Sequence, residues 1–259
     1  MAVVAVTRTS RPGQDPSLIG GDRADYSPTT TTVRKPQQDL AEVGVLLSTT
    51  QPVVITVVGD TTSNDEYEWV HLLAGRIATR FGRSVTVRDW VTEERRYELG
   101  RSYGPRGRAV VTIWNGAASG KDPGYSATHW KTLSPEGADL FLINHGHNKS
   151  NPYSLESGVV NLVGLAAKQS PVAFIGVVLQ NPRFDSPSRA SSQAKGVDLL
   201  RQYVSSPINQ SGASTIDVFG AFSAAGPGAV DLIDADGFHP NARGQRVWAD
   251  AVAESLGVP

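Results

Sequence analysis

The sequence predicts a three-layer α/β/α sandwich on a five- or six-stranded, mostly parallel sheet. From Pro52 onward, short apolar runs alternate with longer amphipathic segments, the pattern of buried parallel strands joined by crossover helices. With 259 residues the chain can bury a large core without staples. It contains no cysteine, which excludes a disulfide framework and thiolate-held zinc or iron–sulfur centres and leaves the compartment open.

Residues 1–50 read differently from the rest. Pro12, Pro16, Pro28 and Pro36 break them, and Thr29 to Thr32 form a run. Such a stretch has too little periodic apolar surface for its own core. It is expected to be an extended arm, either strapped along the main domain or ordered by a protein partner as an attachment segment. Its only regular pieces would be a strand at Ala2–Val6 and a turn or two around Gln38–Leu47. Residues 51–259 form the main domain.

In that domain the strands are expected at Val53–Val58, Ser84–Asp89, Ala109–Trp114, Asp139–Asn144, Val172–Leu179 and Thr215–Val218. The helix after the first strand is the clearest: Trp69, Val70, Leu72, Leu73, Ile77 and Phe81 repeat at helical spacing behind the acidic turn Asp65, Glu66, and Gly82 ends it. Further helices are expected over Leu155–Lys168, Ser191–Tyr203 and Asn241–Leu256. The arginine-rich run Arg95 to Arg108 is broken by glutamates, glycines and a proline and reads as a solvated loop.

Charge narrows the partners. The 24 Lys+Arg against 25 Asp+Glu give a net charge of −1, which speaks against nucleic acid and acidic membrane surfaces. The opening segment is too short for a signal peptide or a membrane span, so the chain reads as soluble and not membrane-inserted.

In open α/β sheets ligands bind beyond the carboxyl ends of the strands. The first strand runs into Gly59-Asp60-Thr61-Thr62-Ser63, the third into Asn115-Gly116-Ala117-Ala118-Ser119-Gly120, and the fourth into His145-Gly146-His147-Asn148. A fourth polar stretch, Asp236-Gly237-Phe238-His239-Pro240, precedes the last helix.

These four stretches, in this order, resemble the SGNH, or GDSL-type, esterase and lipase family, across about residues 52–256. The resemblance implies a flavodoxin-like sandwich and an ester hydrolase without a cofactor or metal. Thr61 stands where the family has its serine nucleophile; Gly120 and Asn148 match its oxyanion glycine and asparagine, and Asp236 and His239 its terminal carboxylate and base. The chemistry is coherent. A hydroxyl needs a neutral imidazole within reach and a carboxylate holding the imidazole tautomer. The oxyanion of a tetrahedral intermediate needs donors fixed in advance, which Thr61 N–H, Gly120 N–H and the Asn148 amide could supply. The resemblance implies these roles; spacing permits them.

The main departure is Thr61. Its extra methyl stiffens χ1 and crowds the approach to a carbonyl, so three readings stay open: a slower working nucleophile, a natural loss of activity, or an introduced substitution. Asp60 is expected to support the turn, and Ser63 to cap the following helix with Glu66. A second departure is Lys149, where many relatives carry an acidic residue. His147, Trp114, Tyr125, Trp130 and Asn181 are candidates for substrate contact, and the aromatic faces would suit an acylated carbohydrate or a lipid ester. His145 reads as structural. A divalent metal held by Asp60, His145, His147, Asp236 and His239 is a minor alternative. The stretch Gly116 to Lys121 is too short and lacks the helix of a phosphate-binding loop. A further reading is a weak or inactive module of a larger assembly such as a bacteriophage tail, placed outside the cell or on the virion and joined through residues 1–50.

Overall fold

The computed structural model describes residues 35–106 and 110–258. The expected strand at Ala2–Val6 and most of the arm lie outside them. The described end of that segment carries one helix, α1 (Glu42–Ser48), whose Val43 and Leu47 are buried in the main core.

Six parallel strands form the centre: β1 (Val53–Gly59), β2 (Ser84–Val91), β5 (Val110–Ala117), β6 (Leu140–Asn144), β7 (Phe174–Val178) and β8 (Ser214–Ile216). Their spatial order is β2-β5-β1-β6-β7-β8. Without β2 this is the 2-1-3-4-5 order of flavodoxin-like sheets, so β2 is an added edge strand. Two short strands, β3 (Arg96–Tyr97) and β4 (Arg101–Tyr103), pair antiparallel with β2. The expected solvated loop is therefore a folded edge. The reason is the tyrosines between the arginines: Tyr97 packs on Trp90 and Trp114 and its hydroxyl donates to Leu133 O, while the Tyr103 hydroxyl meets His71 Nδ1 at 2.6 Å.

On one face lie α1, α2 (Trp69–Phe81), α7 (Val218–Ser223) and α8 (Ala242–Ser255), over a core that includes Ile55, Val57, Ile113 and Leu142. Trp69 of α2 stacks on Trp248 of α8 with ring centroids 6.1 Å apart. On the other face lie α3 (Pro123–Thr128), α4 (Trp130–Leu133), α5 (Pro152–Gln169) and α6 (Pro187–Ser205), over Val58, Phe141, Ile143 and Val177. Alternate residues of β1 and β6 thus feed opposite cores, as a sheet covered on both faces requires. Proline at the first turns of α5 and α6, behind a capping Asn and Ser, starts those helices a few residues earlier than apolar periodicity indicates, and α3, which the sequence reading did not include, begins the same way behind Asp122. Among the described residues no helix is long and apolar enough to cross a membrane.

Candidate active site

The site grows from the end of β1. Gly59 lies so close to β6 that a Cβ there would sit 2.8 Å from Asn144 O. The next residue, Asp60, is fully buried and its carboxylate accepts from Thr62 N and Oγ1, Gly146 N, His147 N and Gln180 Nε2 at 2.9–3.3 Å. Those bonds join the turn after β1 to the loop after β6 and to the end of β7. Gln180 Nε2 also reaches Thr62 Oγ1 and Asn144, and Asn144 Nδ2 donates to Thr62 Oγ1 and Ser63 Oγ.

Ser63 therefore does not cap a helix. It is buried against Asn144, and α2 begins later, at Trp69, with Glu68 as the cap residue. The acidic turn forms its own contacts: Glu68 Oε2 accepts from Asp65 N, and Glu66 pairs with Arg101.

Thr61, between Asp60 and Thr62, is half-buried, and its Oγ1 accepts from Asn148 Nδ2 at 3.3 Å. His239 Nδ1 lies 2.5 Å from Asp236 Oδ2, while Asp236 Oδ1 accepts from Phe238 N and His239 N. Desolvation alone would raise the Asp236 pKa; these hydrogen bonds outweigh it and hold the carboxyl below its ordinary value. The loop is pinned from several sides. Gly237 has φ 81° and passes so close to Asp185 that a Cβ would meet its N at 2.7 Å. Asn181 Nδ2 donates to Phe238 O, and Asn241 caps α8 directly behind.

Thr61 and His239 line one cleft of about 430 Å³, together with Tyr67, Glu68 and Gln245. Among the described residues no hydrogen bond joins the His239 ring to Thr61 Oγ1. Gly120 has φ 70°, and a Cβ built on it meets no atom within 4 Å. Its loop is tied to β1 by Ala118 N donating to Gly59 O at 3.0 Å, and to the Asn148 loop by Lys149 Nζ on Asp122 Oδ2 at 2.6 Å. Lys149, the departure noted in the sequence, is thus a clamp between two site loops.

Several expected substrate contacts are interior. Trp130 is buried, stacked on Phe141, with its N–H on Gln169. The Trp114 N–H donates to Glu136, and its ring is held by Tyr97 and Arg88, so neither indole offers the cleft a free face. Asn181 is fully buried. Tyr125 accepts from Trp90 Nε1 and packs on His129 and Lys121. His147 is buried, with Nε2 on Asn181 O at 3.0 Å, and His145 Nε2 meets Ser126 Oγ at 2.9 Å. Burial pulls both imidazoles down, His145 to about 4. Among the described residues no group of three or more His, Asp or Glu side chains gathers to hold a metal ion.

Sequence reasoning passed over Glu68 and Tyr67. Glu68 is half-buried in the cleft, and desolvation pushes its carboxyl up to about 8. Gln180 follows β7, and only its placement beside Asp60 reveals it as a hub.

Solved structures share this architecture over most of the chain. One is an α/β hydrolase enzyme from the metagenome of Lake Arreo, Spain, with TM-score 0.61 and 18% identity over 82% of this chain and 98% of that one. The fold is that of the SGNH, or GDSL-type, hydrolases. A lipase/acylhydrolase from Enterococcus faecalis has TM-score 0.59 at 14% identity, covering 79% of this chain and 95% of its own. An acetylxylan esterase from Geobacillus stearothermophilus has TM-score 0.59 at 12% identity over 80% and 95%. A peptidoglycan O-acetylesterase has TM-score 0.61 at 13% identity over 84% and 94%. No protein-family model matches the sequence, and no curated protein sequence does.

Proposed function

We propose that the chain is an ester hydrolase with a Thr61-His239-Asp236 triad. The observation that carries this is the single cleft lined by Thr61 and by a His239 already oriented on Asp236, with the Asn148 amide on the Thr61 hydroxyl. Asp236 holds His239 as the tautomer with Nδ1–H, leaving Nε2 free to accept. Thr61 Oγ1 attacks the acyl carbon as its proton passes to His239 Nε2. Thr61 N–H, Gly120 N–H and Asn148 Nδ2–H face the negative oxygen of the intermediate. The alcohol leaves with the proton from His239, giving an acyl-threonine. Water, deprotonated by His239, attacks it, and the acid departs as Thr61 recovers its proton.

The substrate we assign is an acylated carbohydrate, foremost an acetyl ester. Support comes from the neighbours described as an acetylxylan esterase and a peptidoglycan O-acetylesterase, and from the exposed ring of Tyr67 in the cleft. The test is hydrolysis of a short-chain aryl acetate by the protein and by Thr61→Ala. Loss of activity with the hydroxyl is expected; equal background rates in both proteins overturn the reading. The methyl that Thr61 carries on its β-carbon beside the hydroxyl favours one other reading, a weak or inactive module of a larger assembly, and those equal rates would select it.

A further inference from the structure

A larger cleft, of about 690 Å³, adjoins the one that holds Thr61 and His239. Asn64, Asp65 and Tyr67 line both, so the turn after the proposed nucleophile divides them and Tyr67 stands on the shared rim. The larger cleft also reaches Ala117 and Ser119, on the loop that leads to Gly120. One wall is the β3–β4 edge, through Glu98, Leu99 and Arg101, and the pairing of Glu66 with Arg101 ties that wall to the turn.

Tyr67 is 76% exposed. Its backbone is nonetheless fixed: Tyr67 N donates to Asp65 Oδ1 at 3.1 Å, Glu68 N donates to Asp65 O at 3.1 Å, and Glu68 Oε2 accepts from Asp65 N at 2.8 Å. Among the described residues no ring, cation or hydrogen-bonding group engages the Tyr67 side chain. A ring displayed bare on a pinned turn is preorganised to receive a flat apolar face.

The surroundings choose the ligand. Asp65, Asp89, Glu93 and Glu98 line the larger cleft, and among the described residues none of them pairs with a lysine or arginine. An alkyl chain laid here would strip water from those carboxylates, and an acidic sugar would be repelled by them. An uncharged saccharide meets both demands, since it has a C–H face for the ring and hydroxyls that donate to carboxylates.

We infer that the larger cleft is a glycan groove: an uncharged saccharide chain, acylated on the unit seated at Thr61, lies on Tyr67 and continues past these carboxylates. Its register rests on the proposed esterase reading, which puts the acylated unit in the smaller cleft. Binding itself does not depend on turnover.

The test is calorimetric titration of full-chain Thr61→Ala protein with two probes, cellotriose and the β-1,4-linked triglucuronate that carries the same skeleton with carboxylates. Saturable millimolar binding of cellotriose is expected, with the triglucuronate about tenfold weaker at low salt. Adding Tyr67→Ala should weaken cellotriose binding about fivefold, and Tyr67→Phe, which keeps the ring, should retain most of it. Thermal melts of each variant check the fold. Three results overturn the groove: no saturable cellotriose binding to the folded parent protein, binding unchanged in folded Tyr67→Ala, or triglucuronate bound as tightly as cellotriose. Binding with the expected losses but no aryl acetate hydrolysis by the native chain would keep the groove and remove the esterase reading; hydrolysis without cellotriose binding would do the reverse.

Discussion

Two carboxylates belong to the candidate site, Asp60 next to Thr61 and Asp236 on His239, and they live in opposite surroundings. Asp60 is fully buried and accepts hydrogen bonds from four residues of three loops. Asp236 and His239 keep side-chain exposures of 40% and 30%. A buried charge must be satisfied by the protein, so Asp60 is bound to architecture; an exposed pair can lean on water and remain free to exchange a proton. The comparison separates what holds the site from what would perform the reaction in it, and each side makes its own prediction.

The largest effect is expected on the exposed side. His239→Ala should lower ester hydrolysis by about a thousandfold or more, since triad members act as a unit. Its melting temperature should stay within a degree or two of the parent's, because little buried surface is lost. A parallel collapse of stability would show that the pair is structural after all. Thr61→Ser sharpens the same side. Removing the methyl that crowds the carbonyl approach should raise the rate about tenfold, measured with the same aryl acetate.

On the buried side, Asp60→Ala leaves Gly146 N, Thr62 N and the Thr62 hydroxyl short of an acceptor. The expected cost is roughly 3 kcal/mol, which for a domain of this size is a fall in melting temperature of roughly 10 °C. Activity would fall as well, through the displaced Asn148 loop. A variant that melts with the parent would dissolve the distinction between the two carboxylates.

Between these extremes stands Glu68, whose carboxyl desolvation holds near 8 against a hydrogen bond from Asp65 N. Because its folded pKa is raised above the unfolded one, the folded state holds a proton that the unfolded state has lost between about pH 4.5 and 8. Stability from this group therefore declines as pH rises through that window and is level above it. Glu68→Gln removes the titration. Its stability relative to the parent should climb from pH 5 to pH 9 by roughly 2 kcal/mol, allowing for partial exposure. Denaturant melts at the two pH values decide it, and a constant difference refutes it. In the same cleft an ionised Glu68 opposes the negative oxygen of the intermediate, so the parent should also lose activity above about pH 8 and the variant should not.

The same contrast explains what could be read from the sequence. Strand positions were legible because buried parallel strands are continuous apolar runs, and β1 and β6 begin and end within a residue of expectation. The site blocks were legible because glycine and polar residues interrupt those runs at the strand ends. The indoles of Trp114 and Trp130 misled because an aromatic residue in a polar stretch carries no mark of which way it faces; here partners distant in sequence, Glu136 and Gln169, take their N–H groups. The β3–β4 edge was hidden by its arginines, whose charge reads as solvation while the intervening tyrosines fold inward. Ser63 followed a capping pattern that Asn144, from another strand, overrides. In each case a long-range polar contact outweighed a local rule.

The smallest effect concerns the clamp between the loops of Asn148 and Gly120, the proposed oxyanion donors. Lys149 and Asp122 keep about a third of their side-chain surface exposed, so the pair should add only about 0.5 kcal/mol to stability. Its reach is geometric. The hydrogen bond from Lys149, which holds the Asp122 carboxyl below its ordinary pKa, joins the loop carrying Asn148 to the loop following Gly120. Two of the three donors proposed for the oxyanion come from those loops, and a displacement well under 1 Å weakens preorganised donors. Lys149→Met should therefore reduce kcat about threefold while the melting temperature barely moves, and Lys149→Arg, which keeps the charge and a donor, should restore most of it. Raising the ionic strength should push the parent part of the way toward Lys149→Met, because an exposed pair is screened. If kcat is untouched by the methionine, the two loops are positioned by Asp60 and Ala118 alone, and the clamp belongs with the solvated surface.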